Sequence, residues 1–171
     1  MSGDIGFTFY RGTEKKIKEH LKHCYFAILE IAKYTQVGIK FSEICNFALT
    51  VYKNKLKPTQ WLTVNSDPNH TLNLGHTVPG SFESNFDFGN NFEQIKETIR
   101  TKRIYINDNE DFAIPETCAF TIESRIEDYK DSSLPSVFFH FIVCFDQGRK
   151  TILGNYKEIF STIGMDYINS K

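Results

Sequence analysis

Residues 107–128 read NDNEDFAIPETCAFTIESRIED. A polar loop is closed by Pro115. An apolar run, Cys118-Ala119-Phe120-Thr121-Ile122, follows and ends on Glu123. β-Branched and aromatic residues in such a run predict a strand. A carboxylate at the end of a buried strand stands where it can bind a metal or move a proton. Upstream, Leu72-Asn-Leu-Gly-His-Thr-Val-Pro-Gly80 carries a Gly-His pair, Gly75-His76. Histidine and glutamate on two separate strands make half of a divalent-metal site.

Working outward, the period changes. Ile17, Leu21, Cys24, Ile28 and Ile31 recur at spacings of four and three, predicting a helix over 13–34 with Thr13 as N-cap. Gln36-Val37-Gly38-Ile39-Lys40 interrupts it, with Gly38 as the hinge. Phe41, Ile44, Ala48 and Val51 mark a second helix over about 41–54. Two helices joined by a short loop form a helical hairpin. Gln60-Trp61-Leu62-Thr63-Val64 then reads as a strand, 65–69 as a turn, and 71–74 as another short strand. Asn91-Phe-Glu-Gln94 resembles a capping box opening a short helix to about 101. Residues 103–106, 117–124 and 136–145 read as strands. Asp146-Gln147-Gly148-Arg149 is a hairpin turn leading into 150–153. A last short helix covers 156–163. Helices first, then a mainly antiparallel sheet with an inserted helix, is an α+β pattern.

Composition sets bounds. The 171 residues favour one domain over 1–171, with the helical hairpin at 13–54 and the sheet with its inserted helix at 59–163. A net charge of −1 supplies no field favouring nucleic acid or an acidic membrane surface. The basic cluster Lys15-Lys16-Ile17-Lys18 fits a solvated helix face. Aromatic residues are many, but no basic groove accompanies them, so single-strand nucleic-acid binding is not expected. No run approaches a bilayer span, and the first residues lack the apolar core of a signal peptide. The expected location is cytoplasmic. The four cysteines, at 24, 45, 118 and 144, form no CxxC pair and sit in apolar segments, where buried thiols are expected.

The order of these pieces resembles the C-terminal half of the pita-bread family of methionine aminopeptidase, prolidase and creatinase. The hinge segment 37–44, Leu74-Gly75-His76-Thr77-Val78-Pro79-Gly80, and above all Ile114-Pro115-Glu116-Thr117-Cys118-Ala119-Phe120-Thr121-Ile122-Glu123 carry it. The resemblance spans roughly residues 14–160. It implies a helical hairpin packed on a curved, mainly antiparallel sheet. In the family, two Asp, one His and two Glu hold two metal ions. His76 and Glu123 match the His and the first Glu. Both Asp would precede the first helix, where the sequence leaves no room. Phe139, next to His140, takes the place of the second Glu. Glu83 stands where the family has a further substrate-binding His. Ser124 and Arg125 replace the Pro and Gly after the first Glu.

Two ligands do not hold a dinuclear pair, because each ion needs several protein ligands to compete with water. At most one divalent ion is implied, with His76, Glu123 and His140 as a two-histidine, one-carboxylate set. His76 and Glu123 are also the candidate catalytic acid/base couple. Strand alternation puts Arg125 on the face of Glu123, where it can fork onto a substrate carboxylate. Glu83 and Asp87 flank the pocket from loop 81–91. His20, His23 and His70 are not expected to be catalytic. The resemblance, with these losses, implies a degenerate metallopeptidase-like domain, a pseudoenzyme. It would bind a small molecule or peptide in the inherited cleft. Histone-chaperone domains of the same fold are examples of metal loss. The alternative is an enzyme with altered chemistry, mononuclear-metal or His/Glu acid-base, on an amino-acid-like substrate. A half fold exposes the surface its missing mate would cover, so a homodimer, or a partner supplying that half, is expected.

Overall fold

The computed structural model describes residues 6–56, 60–63, 73–154 and 156–170. Its first helix, α1 (Lys15–Tyr34), buries Leu21, Cys24, Ile28 and Ile31 completely, with Ile17 at the margin. The 3.6-residue period therefore marks the core face. The N-cap is Glu14, one residue later than expected, and no side chain caps the helix there. At the other end, Lys150 Nζ donates to the carbonyls of Lys33 (2.6 Å) and Thr35 (2.7 Å). A cation thus meets carbonyls that the helix itself leaves unsatisfied.

Helix α2 (Phe41–Lys55) follows a loop in which Gly38 takes φ 86°. Its free N-terminal amides are met by the polar loop ahead of the Phe-Thr-Ile-Glu strand. Phe41 N donates to Phe112 O (3.0 Å) and Ser42 N to Glu110 O (2.9 Å). The Lys40 amide donates to Glu43 Oε2 (2.9 Å), closing the first turn. The expected hairpin is therefore tied to the loop that precedes Glu123.

The sheet has four antiparallel strands in the order β1 (Gln60–Thr63), β2 (Cys118–Asp128), β3 (Val137–Asp146), β4 (Arg149–Leu153). Phe120, Ile122 and Ile126 of β2, and Phe139, Phe141 and Val143 of β3, are fully buried. Rings from the helices meet them: Phe41 lies 5.4 Å from Phe120, and Tyr25 lies 5.2 Å from Phe139. The helical hairpin thus covers one face of the sheet. The β3–β4 hairpin turns through Gln147 (φ 50°) and Gly148 (φ 78°), a two-residue loop of the type that matches strand twist.

Two further segments extend the sheet as single bridges. Phe7 pairs with Phe139, continuing the line of β4, and Thr77 pairs with Phe120, continuing the line of β1. Helix α3 (Phe92–Thr101) opens as expected, with Asn91 Oδ1 accepting from Gln94 N (3.0 Å). It has no buried residue. Helix α4 (Lys157–Thr162) and a 3₁₀ turn (Asp166–Ile168) close the chain against α1. The expected turn over 65–69, the first half of the strand over 71–74, and His70 lie outside the described residues. No described helix is long and apolar enough to cross a membrane.

Candidate functional site

Strand alternation fixes which side chains meet. On β2, residues 118, 120, 122, 124 and 126 are buried toward the helices. Ala119, Thr121, Glu123, Arg125 and Glu127 stand on the other face. Glu123 lies directly across from His140 on β3, and directly opposed residues share a face. His76 arrives from the other edge of β2. Thr121 N donates to His76 O (2.8 Å), and Glu123 N donates to Leu74 O (2.8 Å). Ile104 O accepts from Thr77 N (2.9 Å) on the far side, and Tyr105 bridges His76. The Gly-His segment is thus held between β2 and 104–106.

Gly75 makes this approach possible. Its φ is +138°, and a Cβ there would sit 2.2 Å from Thr121 O and 2.5 Å from Thr121 Oγ1. The glycine of the Gly-His pair is a packing requirement of the site. Its amide donates to Asn73 Oδ1 (3.0 Å).

His76 Nε2 and Glu123 Oε1 are 3.9 Å apart, with side chains 15 % and 17 % exposed. The other ring nitrogen, Nδ1, lies 2.9 Å from Thr77 O. A carbonyl only accepts, so Nδ1 carries the proton and Nε2 is the nitrogen presented to Glu123. Thr121 Oγ1 accepts from His76 N (3.0 Å) and stands 3.4 Å from both Glu123 Oε1 and His76 O, to either of which its single proton can be given. One threonine therefore orients both members of the pair. Tyr105 packs edge-on against the imidazole at 6.0 Å. Neither Thr121 nor Tyr105 was singled out from sequence. The signal for Thr121 was present, because two residues before Glu123 on a strand is the same face.

The other candidates fall in different places. His140 shares the Glu123 face and is almost wholly buried. Arg125 is exposed on that face. Glu83 caps its own loop, with Oε2 accepting from Gly80 N (3.0 Å), and Asp87 does the same for Gly89 N (2.7 Å). His20 is structural: Nε2 donates to Pro135 O (3.1 Å), leaving Nδ1 to face Cys24 Sγ at 3.7 Å. Burial pushes the Cys24 thiol up to about 12 and Cys118 up to about 11, so neither is a ready nucleophile.

No family model and no curated protein matches the sequence. Solved structures do. An X-Pro aminopeptidase from Thermotoga maritima superposes with TM-score 0.53 at 16% identity, over 84% of this chain and 32% of that one. A Xaa-Pro dipeptidase from Bacillus anthracis gives TM-score 0.55 at 12% identity, over 84% and 32%. A dipeptidase from Pyrococcus horikoshii gives 0.50 at 18%, over 82% and 30%. The chain has the pita-bread fold. It spans about a third of the length of each of these structures. At such identities the likeness is one of fold.

The pita-bread fold implies a metal centre, so the donors present here decide whether one fits. Among the described residues, no three His, Cys, Asp or Glu side chains are grouped so as to hold an ion. His76 and Glu123 form a pair of donors, and His140 shares their face without completing a set. Among the described residues, these donors do not make up the dinuclear centre of the pita-bread peptidases. What the pair offers is an imidazole nitrogen beside a carboxylate, both side chains partly exposed.

Proposed function

We propose that this chain is a degenerate metallopeptidase-like domain that binds a small molecule or peptide in the cleft around His76 and Glu123. It works as a homodimer and without dinuclear-metal aminopeptidase chemistry. One observation carries this reading: the His76–Glu123 pair is present, oriented by Thr121 and by the Thr77 carbonyl, on a fold shared with peptidases, while among the described residues no third donor joins it to hold an ion. The polar pair suits the termini and amide groups of a peptide, with Glu123 facing a cation and His76 an amide. Arg125 stands on the same face, where a ligand carboxylate is met by a bidentate fork.

The test is calorimetric titration of the protein with short peptides, alongside His76→Ala and Glu123→Gln, with elemental analysis of the purified protein. Binding that is lost in either variant while folding is intact supports the reading. Binding equal in all three proteins, or a divalent metal retained in stoichiometric amount, overturns it.

A second reading rests on the tautomer of His76. With Nδ1–H committed to Thr77 O, Nε2 faces Glu123 and is placed to exchange a proton with a bound group. The domain would then be an enzyme acting by acid-base catalysis on an amino-acid-like substrate. Turnover of a dipeptide that vanishes in His76→Ala, with binding retained, separates this reading from the first.

A further inference from the structure

A cavity of about 250 Å³ lies between α1 and the β3–β4 hairpin, lined by Tyr25, Leu29, Lys33, Phe141, Ile152 and Gly154. On α1, residues 25, 29 and 33 are four apart, so they stand one above the other along the helix. On the hairpin, alternation turns Lys150 and Ile152 toward the helices, and Gly154 comes next in that line. Gly154 takes φ +101°, and a Cβ there would meet His140 O and Phe141 Cδ1, both at 3.2 Å. The position therefore brings no side chain to fill the space. This is the side of the sheet that the helices cover. His76 and Glu123 stand on the other, so the cavity is separate from the site described above.

The lining says what the cavity can take. Tyr25, Leu29, Phe141 and Ile152 make its walls apolar, and two polar ends belong to it, the Lys33 ammonium and the Tyr25 hydroxyl. The charge of Lys33 is not spent within the fold. Lys150 is the cation that meets the carbonyls at the end of α1. Glu30, the one acidic residue in the last two turns of α1, pairs with Lys55. Burial alone raises the pKa of the Tyr25 hydroxyl, so it is a neutral donor, and no hydrogen bond joins it to another described residue. An ammonium and a hydroxyl at an apolar cavity suit one carboxylate on an apolar body. A phosphate or a dicarboxylate would bring more charge than one lysine answers, and a hydrocarbon would leave the hydroxyl unmet. An apolar cavity of about 150 Å³ holds a benzene ring, so the larger space here has room for a ring and a short acid arm.

We infer that this cavity binds a small monocarboxylate of the arylalkanoate class. The ring sits among Tyr25, Leu29, Phe141 and Ile152, and the carboxylate meets Lys33. The ligand lies where α1 meets β4, beside the contact that Lys150 makes with the end of the helix. It touches both elements at once, so binding raises the melting temperature.

The experiment is titration of the full chain with 3-phenylpropionate, followed by heteronuclear NMR, with the uncharged 3-phenylpropanamide in parallel. The acid is expected to bind wild type at millimolar concentration or below and to shift the amides of Leu29, Ile152 and Gly154. Lys33→Met, at an exposed position where the fold is not at stake, is expected to weaken binding about fivefold, and the amide to bind wild type correspondingly less well. Ile152→Trp fills the space and is expected to abolish binding. Should that variant melt early, the residues shifted in wild type locate the ligand in its place. No binding at millimolar concentration overturns the inference, as do shifts confined to residues away from α1 and β4. Binding that Ile152→Trp leaves unchanged places the ligand elsewhere and overturns it too. An amide that binds as well as the acid, with Lys33→Met equal to wild type, overturns the carboxylate class.

Discussion

At the scale of the residue, the site depends on an absent side chain. Gly75 lets the Gly-His segment come within hydrogen-bonding distance of β2, and the three nearest contacts that a Cβ would make are all under 3 Å, two of them to backbone. Backbone cannot swing aside as a side-chain tip can. Gly75→Ala is therefore expected to cost more than about 3 kcal/mol, well above an ordinary surface change. Urea denaturation of the variant measures it, and a loss under about 1 kcal/mol would show that the segment relaxes freely. The thiols give a second expectation at this scale. Burial raises Cys24 and Cys45 to about 12 and Cys118 to about 11, while Cys144 is raised by burial but is only half-buried. Under native conditions at mildly alkaline pH, a thiol reagent should react first with Cys144. Cys144→Ser should remove that fast phase. Equal reaction of all four would mean that the core opens readily.

At the scale of the element, periodicity carried most of the information. The stripe Ile17-Leu21-Cys24-Ile28-Ile31 is the buried face of α1, and the Phe-Thr-Ile-Glu run is a strand of the sheet. These were legible because their partners are an averaged apolar core, and any apolar side chain at the right spacing fits. The pairing of 74–78 with β2 was not legible, nor was the bridge from Phe7 to Phe139, because such contacts depend on residues far apart in sequence. At Glu83 the sequence leaves two readings open for a related reason. A glutamate in a Gly-rich loop signals either a ligand contact or a turn cap, and only the geometry shows Gly80 N donating to it. The β3–β4 turn was legible down to its glycine. Gln147 there holds φ 50°, a region where asparagine and glycine are at ease and glutamine is not. Gln147→Asn is expected to stabilise the protein by about 0.5 kcal/mol. At Gly148 a Cβ would meet nothing within 4 Å, so Gly148→Ala should cost only the left-handed penalty of about 1–2 kcal/mol. Thermal melts of the two variants should move in opposite directions.

At the scale of the whole molecule, α1 is tied to the connection between β2 and β3, more than a hundred residues later. His20 donates to Pro135 O, and Lys16 Nζ lies 2.6 Å from Asp131 Oδ2 and 3.0 Å from Ser133 Oγ. The Lys16 hydrogen bond, and then that of Ser133, hold the Asp131 carboxyl at about 2, below the usual carboxylate range. In the unfolded chain the same group titrates near its ordinary value of about 3.9. Between those values the unfolded chain binds the proton and the native one does not. The contribution to stability is therefore fully present above about pH 4 and is lost as pH falls toward 2. Asp131→Asn cannot titrate, so its stability should fall less steeply than wild type over that window, while at neutral pH it should be slightly the less stable of the two. Urea midpoints at a series of acidic pH values decide this. Parallel curves for the two proteins would mean that Lys16 and Asp131 do not hold each other in solution, and that the burial of α1 alone fixes the helix to the sheet.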